Sequence, residues 1–348
     1  MINSKCIILF GGQSKENMVS VASAQNVSNV LPDSELWYIE QSGIVYIVSA
    51  SELRNFKAPF VNQFSPMAAP SFTSLEVALD NLKSKAVFFI SLHGLGAEDG
   101  KIQRLLHSRG HFYTGSSEKA SRLGFNKISA KKIASESGLL TAPFIVISNK
   151  KNSQSDVKKQ VSRFLSIHHK IVIKPSEEGS SIGLFIIKDN SGIEAFVKSV
   201  QFDNYQEWIA EPFIDGRELT IGVTETINGG LIPLPCTEII LTPERNFDYD
   251  SKYVSESTVE TTPANINDAI SKKIAEQAVA IHRAIDCVGY SRSDFIVKGD
   301  SIYFLEINTL PGLTFRSLFP QQLEAKGLSF SNFCQDQLYI ARKNDNKQ

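Results

Sequence analysis

The sequence predicts a mixed α/β and α+β protein: an N-terminal α/β domain, a small middle domain and a C-terminal α+β domain. Three observations predict this. Short apolar runs alternate with helix-like stretches over the first part of the chain. At Lys170 the pattern changes to closely spaced strand-like segments. A long amphipathic stretch, 267–285, then precedes two further strands.

Residues 6–10 form an apolar run that Gly11-Gly12 turns into a helix-like stretch over 14–30. Residues 86–92, bounded by Lys85 and Gly94, read as a second buried parallel strand. The proline-rich stretch 59–70 reads as a loop. The spacing predicts one helix over 117–137, closed by Gly138, and Pro143 then bars any continuation before a strand at 144–148. Residues 150–156 are polar and read as a turn. Strands follow at 171–174, 183–188, 207–213 and 218–224, then a charged loop at 242–263 with three aromatics. In the helix 267–285, Ile270, Ile274, Ala278, Ile281 and Ile285 make one stripe. Strands at 293–298 and 301–307 flank Gly299-Asp300, and the polar tail after Ala341 frays.

Composition removes several function classes. Among 348 residues, 36 Lys+Arg balance 37 Asp+Glu, a net charge of -1 that offers no broad surface to nucleic acid or anionic membrane. The longest apolar stretches are far shorter than the roughly 18 residues a membrane span needs, and the N-terminal run is too short for a signal peptide. Cys6, Cys236, Cys287 and Cys334 lie far apart, with no C-x-x-C pair and no zinc set, and read as reduced core thiols of a cytoplasmic protein.

Four segments carry chemistry. Lys174-Pro175-Ser176-Glu177-Glu178-Gly179-Ser180-Ser181-Ile182-Gly183 sets small hydroxyls between glycines after a strand-end lysine, which suits a loop that clasps polyphosphate. It is not a Walker loop, and the same composition also fits a plain hairpin loop. Arg292-Ser293-Asp294 precedes Glu306-Ile307-Asn308. Glu306 and Asn308 share a strand face. Asp294 joins them only if the Gly299-Asp300 hairpin carries an odd loop or a bulge; an even loop puts it on the other face. Three oxygen ligands on one face would suit Mg²⁺ shared with phosphates. On this reading Ile302 and Phe304 share the face of Glu306, and Tyr303, Leu305 and Ile307 fill the other. Ser91-Leu92-His93-Gly94, with Glu98-Asp99-Gly100, ends an apolar strand where α/β folds place ligands, although His93 alone also fits a structural role. Gly11-Gly12-Gln13-Ser14-Lys15-Glu16 is a strand-to-helix turn in which Glu16 also fits a dipole-favoured acid.

Taken in order, these pieces resemble a known family. Gly11-Gly12-x-Ser14-x-Glu16-x-x-Val19-Ser20, His93-Gly94 with Glu98-Asp99-Gly100, Lys174-Pro175 through Gly179-Ser180-Ser181, Lys252-Tyr253, Arg292-x-Asp294 and Glu306-x-Asn308-Thr309-x-Pro311-Gly312 resemble the D-alanine–D-alanine ligases of the ATP-grasp superfamily, over residues 5–335. The resemblance implies a three-domain ATP-grasp architecture: an α/β substrate domain at 1–118, a central subdomain with the phosphate loop at 119–214, and a subdomain with the metal site and oxyanion hole at 215–348. It implies an ADP-forming ligase that joins two D-alanines through an acylphosphate for peptidoglycan synthesis, with ATP and two Mg²⁺, or Mn²⁺ in their place. Lys127 and Lys174 would hold the α/β-phosphates, Ser180-Ser181 would close over the γ-phosphate, and Lys252 would also belong to the ATP site. Glu211 and Ile214 would line the adenine hinge and Glu218 would take the ribose. Asp294, Glu306 and Asn308 would hold the metals, Asn308 also facing the nucleotide. Glu16 would bind the first ammonium in one set with Ser180 and Tyr253, with His93 close by. Arg292 and the Gly312 N–H would form the oxyanion hole, and Ser317 and Leu318 would meet the second carboxylate. The 242–263 loop would close as a lid, and a cytoplasmic homodimer with no nucleic-acid or membrane partner is expected.

The sequence also departs from the family pattern. Asn17 replaces a common histidine, Asn126 a usual aspartate, Glu177 a common basic residue, Pro212 a usual lysine, and Arg316 a smaller or neutral residue. Arg316 and Asn17 keep open a ligase with another acceptor, such as D-serine or D-lactate; a degenerate nucleotide-binding protein is the third reading.

Overall fold

The computed structural model describes residues 5–241 and 258–344, arranged around three sheets. In the first sheet, strand Cys6–Gly11 lies at the centre, parallel to Glu35–Ile39 on one side and Val87–Ile90 on the other. Ile7, Ile8, Leu9 and Phe10 are fully buried, as expected for a strand covered on both faces. The chain reverses its direction of travel across the sheet at this strand, and such a switch opens a crevice at the strand ends. The turns after Gly11 and after Ile90 both open into that crevice.

The second sheet is antiparallel and joins Ile145–Ser148, Glu207–Pro212, Ile171–Pro175 and Phe185–Ile187. Strand alternation divides its residues. Ile171, Ile173, Trp208 and Ala210 enter one core, while Val172, Lys174 and Glu211 face a cleft. The third sheet has seven strands among the described residues, with Arg217–Glu225, Tyr290–Lys298 and Ser301–Asn308 at its centre. Helix Asp268–Ala284 buries the expected stripe of Ile270, Ile274, Ala278 and Ile281 against it, and Asn267 caps the helix by accepting from Ile270 N–H.

Two expectations are corrected. The single helix expected over 117–137 is two, Glu118–Phe125 and Lys127–Glu136. The break is at Asn126, which is extended and whose side chain accepts from Ser129 N–H at 2.9 Å, so it caps the second helix. The polar turn expected at 150–156 already contains the start of helix Gln154–His168, capped by Ser153; a cap, not a loop, explains its polarity. Residues 119–141, placed by the resemblance with the central subdomain at 119–214, pack on the third sheet. Ala130 and Ala134 share a core with Phe295 and Phe304, and Leu140–Thr141 pairs with Ser301–Asn308. The chain end likewise returns to the first core through Leu310, Leu313, Phe319, Phe333 and Leu338.

Two buried histidines make stability pH-dependent. His282 and His93 both have pKa values lowered to about 4, chiefly by burial. Both rings are therefore neutral when folded, and the unfolded chain takes up their protons first. Their stabilisation is full above the unfolded value of 6.5 and is lost as pH falls toward 4. Each should cost about 2 kcal/mol by about pH 5. Urea unfolding at neutral pH and near pH 5 checks this; His282→Gln should remove about half of the loss.

Candidate active site

The cleft floor is a hairpin. Its two-residue turn alone would put Asp294 and Glu306 on opposite faces. Lys298 pairs with Ser301 and Phe295 with Phe304, and then the register slips by one, so that Asp294 pairs with Glu306 and Arg292 with Asn308. The bulge at Leu305 therefore brings Arg292, Asp294, Glu306 and Asn308 onto one patch of one face. It also overturns the expectation that Ile302 and Phe304 lie beside Glu306. Those two enter the core with Ile307, while Leu305 and Glu306 both line the cleft. Arg292 donates through Nε and Nη2 to the two oxygens of Asp294, at 3.1 and 3.2 Å. Thr220 Oγ1 donates to the same carboxylate from the neighbouring strand. Asn308 Oδ1 accepts from Leu310 N–H at 2.8 Å, keeping its second lone pair. Two carboxylates and an amide oxygen suit a hard divalent cation. Among the described residues no three His, Cys, Asp or Glu side chains cluster, so such a cation would complete its shell with phosphate oxygens or water.

Beside the floor lies a buried charge group. Glu211 receives Lys131 on Oε1 at 2.6 Å and Lys174 on Oε2 at 3.0 Å. Burial opposes all three charges. Glu211 is nevertheless held below the usual carboxylate range by its two ammoniums, and Lys174 is held up by Glu211 and Glu306. Lys131, fully buried, is pushed down by burial despite Glu211. Two ammoniums on one carboxylate leave positive charge at the cleft wall, where a polyphosphate would sit. Lys127 is buried at the start of its helix, 3.2 Å from Glu306. Val172, Ile186, Ile214, Ile296 and Leu305 give the cleft an apolar side, and Glu218 lies at its edge.

The serine-containing loop also lines this cleft, through Glu178, Gly179, Ser180, Ser181 and Ile182. Ile182 N–H bonds to Gly179 O at 3.0 Å around Ser180 (φ 52) and Ser181 (φ 58). Two left-handed residues and that bond define a type I′ turn, built here from serines rather than Asn or Gly. Each serine costs on the order of 1 kcal/mol in that conformation. Ser180 is held there by donating to Glu16 Oε1 at 2.6 Å. Lys127 Nζ donates to Glu178 O, and Tyr205 OH to Glu178 Oε1 at 2.7 Å. Asn126 Nδ2 donates to Glu177 Oε1 at 2.8 Å. Two departures from the family pattern, Asn126 and Glu177, are therefore partners of each other.

The first sheet supplies the other wall. Ser14 Oγ donates to His93 O at 2.6 Å and accepts from Glu16 N–H at 3.1 Å, joining the two turns of the crevice. Gly94 has φ +73, a conformation that strains any side chain, and a Cβ there would stand 2.7 Å from Glu16 Oε2. Glu98 accepts from Gly94 N–H at 2.9 Å; burial, then Glu16, pushes its carboxyl pKa up. Both ring nitrogens of His93 are engaged by protein: Nδ1 by Leu310 O at 2.9 Å and Nε2 by Ser23 Oγ at 3.0 Å. Gly312 faces Ser317, whose hydroxyl accepts from Thr314 N–H at 3.1 Å, and Leu318 opens the following helix. Arg316 and Phe315 are exposed. Lys252, Tyr253 and most of the 242–263 loop lie outside the described residues.

A family model described as "D-ala D-ala ligase N-terminus" matches residues 5–116, and one described as "D-ala D-ala ligase C-terminus" matches residues 133–338. A D-alanine–D-alanine ligase of Leptospira interrogans serovar Lai is 32% identical over 355 residues, covering 98% of this chain and 99% of that protein. The chain belongs to the D-alanine–D-alanine ligase family. A relative of the same name from Syntrophobacter fumaroxidans is 36% identical, with 93% of each chain covered. The structure of the D-alanine–D-alanine ligase from Coxiella burnetii has the same ATP-grasp fold, with a TM-score of 0.81 at 24% identity over 99% of this chain and 95% of that one. The VanG D-Ala:D-Ser ligase of Enterococcus faecalis matches with a TM-score of 0.78 at 26% identity over 97% of this chain and 100% of that one.

Lys131, Thr220 and Ser23 were not expected from the sequence. Lys131 follows Lys127 by one helical turn, which is the only signal it gave; a lysine on an amphipathic helix reads as solvated until Glu211 is seen beside it. Among the described residues no helix is long and apolar enough to cross a membrane.

Proposed function

We propose that the cleft joins two D-alanines at the expense of ATP, giving D-alanyl-D-alanine, ADP and phosphate. The hydrogen bond from Ser180 to Glu16 carries this reading. It ties the polyphosphate loop of the second sheet to the only carboxylate turn of the first-sheet crevice that reaches it among the described residues, so nucleotide and amino acid meet there.

The chemistry follows from the charges. Glu16 holds the ammonium of the first D-alanine, whose carboxylate oxygen attacks the γ-phosphorus while ADP leaves. Lys127 and Lys174 neutralise the phosphates as the charge moves; positioning and neutralisation are most of what phosphoryl transfer needs. Mg²⁺ held by Asp294, Glu306 and Asn308, or Mn²⁺ in its place, supplies electrostatic stabilisation of the transferring group when bound. The amine of the second D-alanine, with its carboxylate at Ser317 and Leu318, then attacks the acylphosphate carbonyl. Arg292 and the Gly312 N–H receive the oxyanion; phosphate leaves and the amine gives up a proton. Lys252 and Tyr253, on the 242–263 segment, complete the nucleotide and first-substrate sites in this reading. A cytoplasmic homodimer is part of the same proposal.

Phosphate release dependent on both D-alanine and Mg²⁺, with the product mass read by spectrometry, tests the reading. A D-alanyl-D-alanine mass supports it. A product only when D-serine or D-lactate is added moves the acceptor assignment. Silence with every pairing overturns it. Glu16→Gln removes the counter-charge of the ammonium and should raise the D-alanine KM about tenfold to a hundredfold, as for a charged hydrogen bond. ATP binding, read by nucleotide titration, should hold; equal losses in both would contradict the role of Glu16.

A further inference from the structure

We infer that Ser23 is a positioning residue for the acceptor step: together with His93 and Asn26 it fixes the Leu310–Leu313 segment that presents the Gly312 N–H. This rests on the ligase reading above. The hydrogen bonds assign the roles by their own logic. Leu310 O only accepts, so His93 Nδ1 carries the proton of the 2.9 Å bond. The neutral ring then leaves Nε2 as an acceptor, and the Ser23 hydroxyl must donate to it at 3.0 Å. The same Ser23 oxygen accepts from Leu313 N–H at 3.1 Å. One helical turn on, Asn26 Nδ2 donates to Leu313 O at 2.9 Å. Both ends of the segment are thereby tied to one imidazole and one helix face.

The ties have no slack. Ser23 is fully buried, and Leu310 and Leu313 are each 1% exposed. Ser20 of the same helix accepts from Gly11 N–H and donates to Ser91 O, both at 2.7 Å, so the helix is pinned to both strands of the crevice. A Cβ on Gly312 would stand 2.9 Å from Ser317 Oγ and 3.8 Å from Val19 of this helix. The helix Asn17–Val30 begins directly after Glu16. One rigid element therefore holds the counter-ion of the first substrate at its start and the oxyanion segment on its second and third turns. The distance between donor carbonyl and oxyanion donor is set by that helix.

Ser23→Ala removes both bonds, and Asn26→Ala removes the outer tie without touching the buried serine. Ligation should fall about tenfold to a hundredfold in kcat in Ser23→Ala, the scale of a displacement of about 1 Å, and less in Asn26→Ala. The KM for ATP should stay close to wild type, and the melting temperature should fall by only a few degrees in Ser23→Ala, as expected when buried partners lose a hydrogen bond. The first half-reaction, read as D-alanine-dependent isotope scrambling within γ-labelled ATP, should persist in both variants. Ser23→Thr, which keeps the hydroxyl, should recover more turnover than Ser23→Ala. Unchanged ligation in both alanine variants overturns the inference, as does an equal fall of scrambling, ligation and melting temperature. A wild type that forms no dipeptide overturns the ligase reading instead, so the two failures are distinguishable.

Discussion

Arg292→Ala is expected to cut dipeptide formation by about a hundredfold to a thousandfold, the usual consequence of losing one oxyanion donor. The guanidinium has two tasks. In the proposed mechanism it receives the tetrahedral oxygen, and its fork holds Asp294 through two bonds. Thr220 keeps a separate hold on Asp294, so the carboxylate stays near its place in the variant. ATP binding should therefore survive while turnover collapses. Arg292→Lys restores charge without the planar fork and should recover only part of the rate. Steady-state kinetics with separate nucleotide titration checks this. A variant that turns over normally would remove Arg292 from the oxyanion hole.

The second large effect is on stability. Glu211→Ala leaves Lys131 and Lys174 buried together without their shared carboxylate. Removing one side of a buried ionic group costs about 3–5 kcal/mol, because the remaining charge stays desolvated. Thermal and urea unfolding should both register the loss. Added ATP should recover part of it by supplying anionic oxygens and by binding only the folded state. Lys131→Met should cost much less, since Lys174 continues to pair with Glu211. A Glu211→Ala protein that melts like wild type would show that the two lysines are neutral in the folded state.

Much of this site is readable in the residues because its chemistry needs residue types that are rarely found together. Lysine at a strand end, serines between glycines, and acids at the end of an apolar strand each narrow the choices. What the sequence withholds is mostly register. Nothing in the 301–308 run marks Leu305 as the residue that slips, since apolar residues occupy both faces of that strand. Alternation therefore puts Phe304 beside Glu306, and the bulge moves it into the core. Burial of charge is withheld for a related reason. Lys131 and Lys132 are adjacent and chemically identical, yet only the first turns inward to Glu211. Ser23 is a third case: a serine inside a helix reads as a weak helix former, and only a segment arriving from the other end of the chain gives its hydroxyl a task.

The contact between Asn126 and Glu177 has a consequence for exchanging loops between proteins. Judged singly, each position differs from what the family resemblance leads one to expect. Joined by one hydrogen bond, they act as a pair. Reverting only position 126 to aspartate would set two carboxylates face to face; reverting only position 177 would leave a cation before a neutral amide. A chimera that grafts a relative's phosphate loop onto this chain therefore inherits a mismatch unless the residue before Lys127 travels with it.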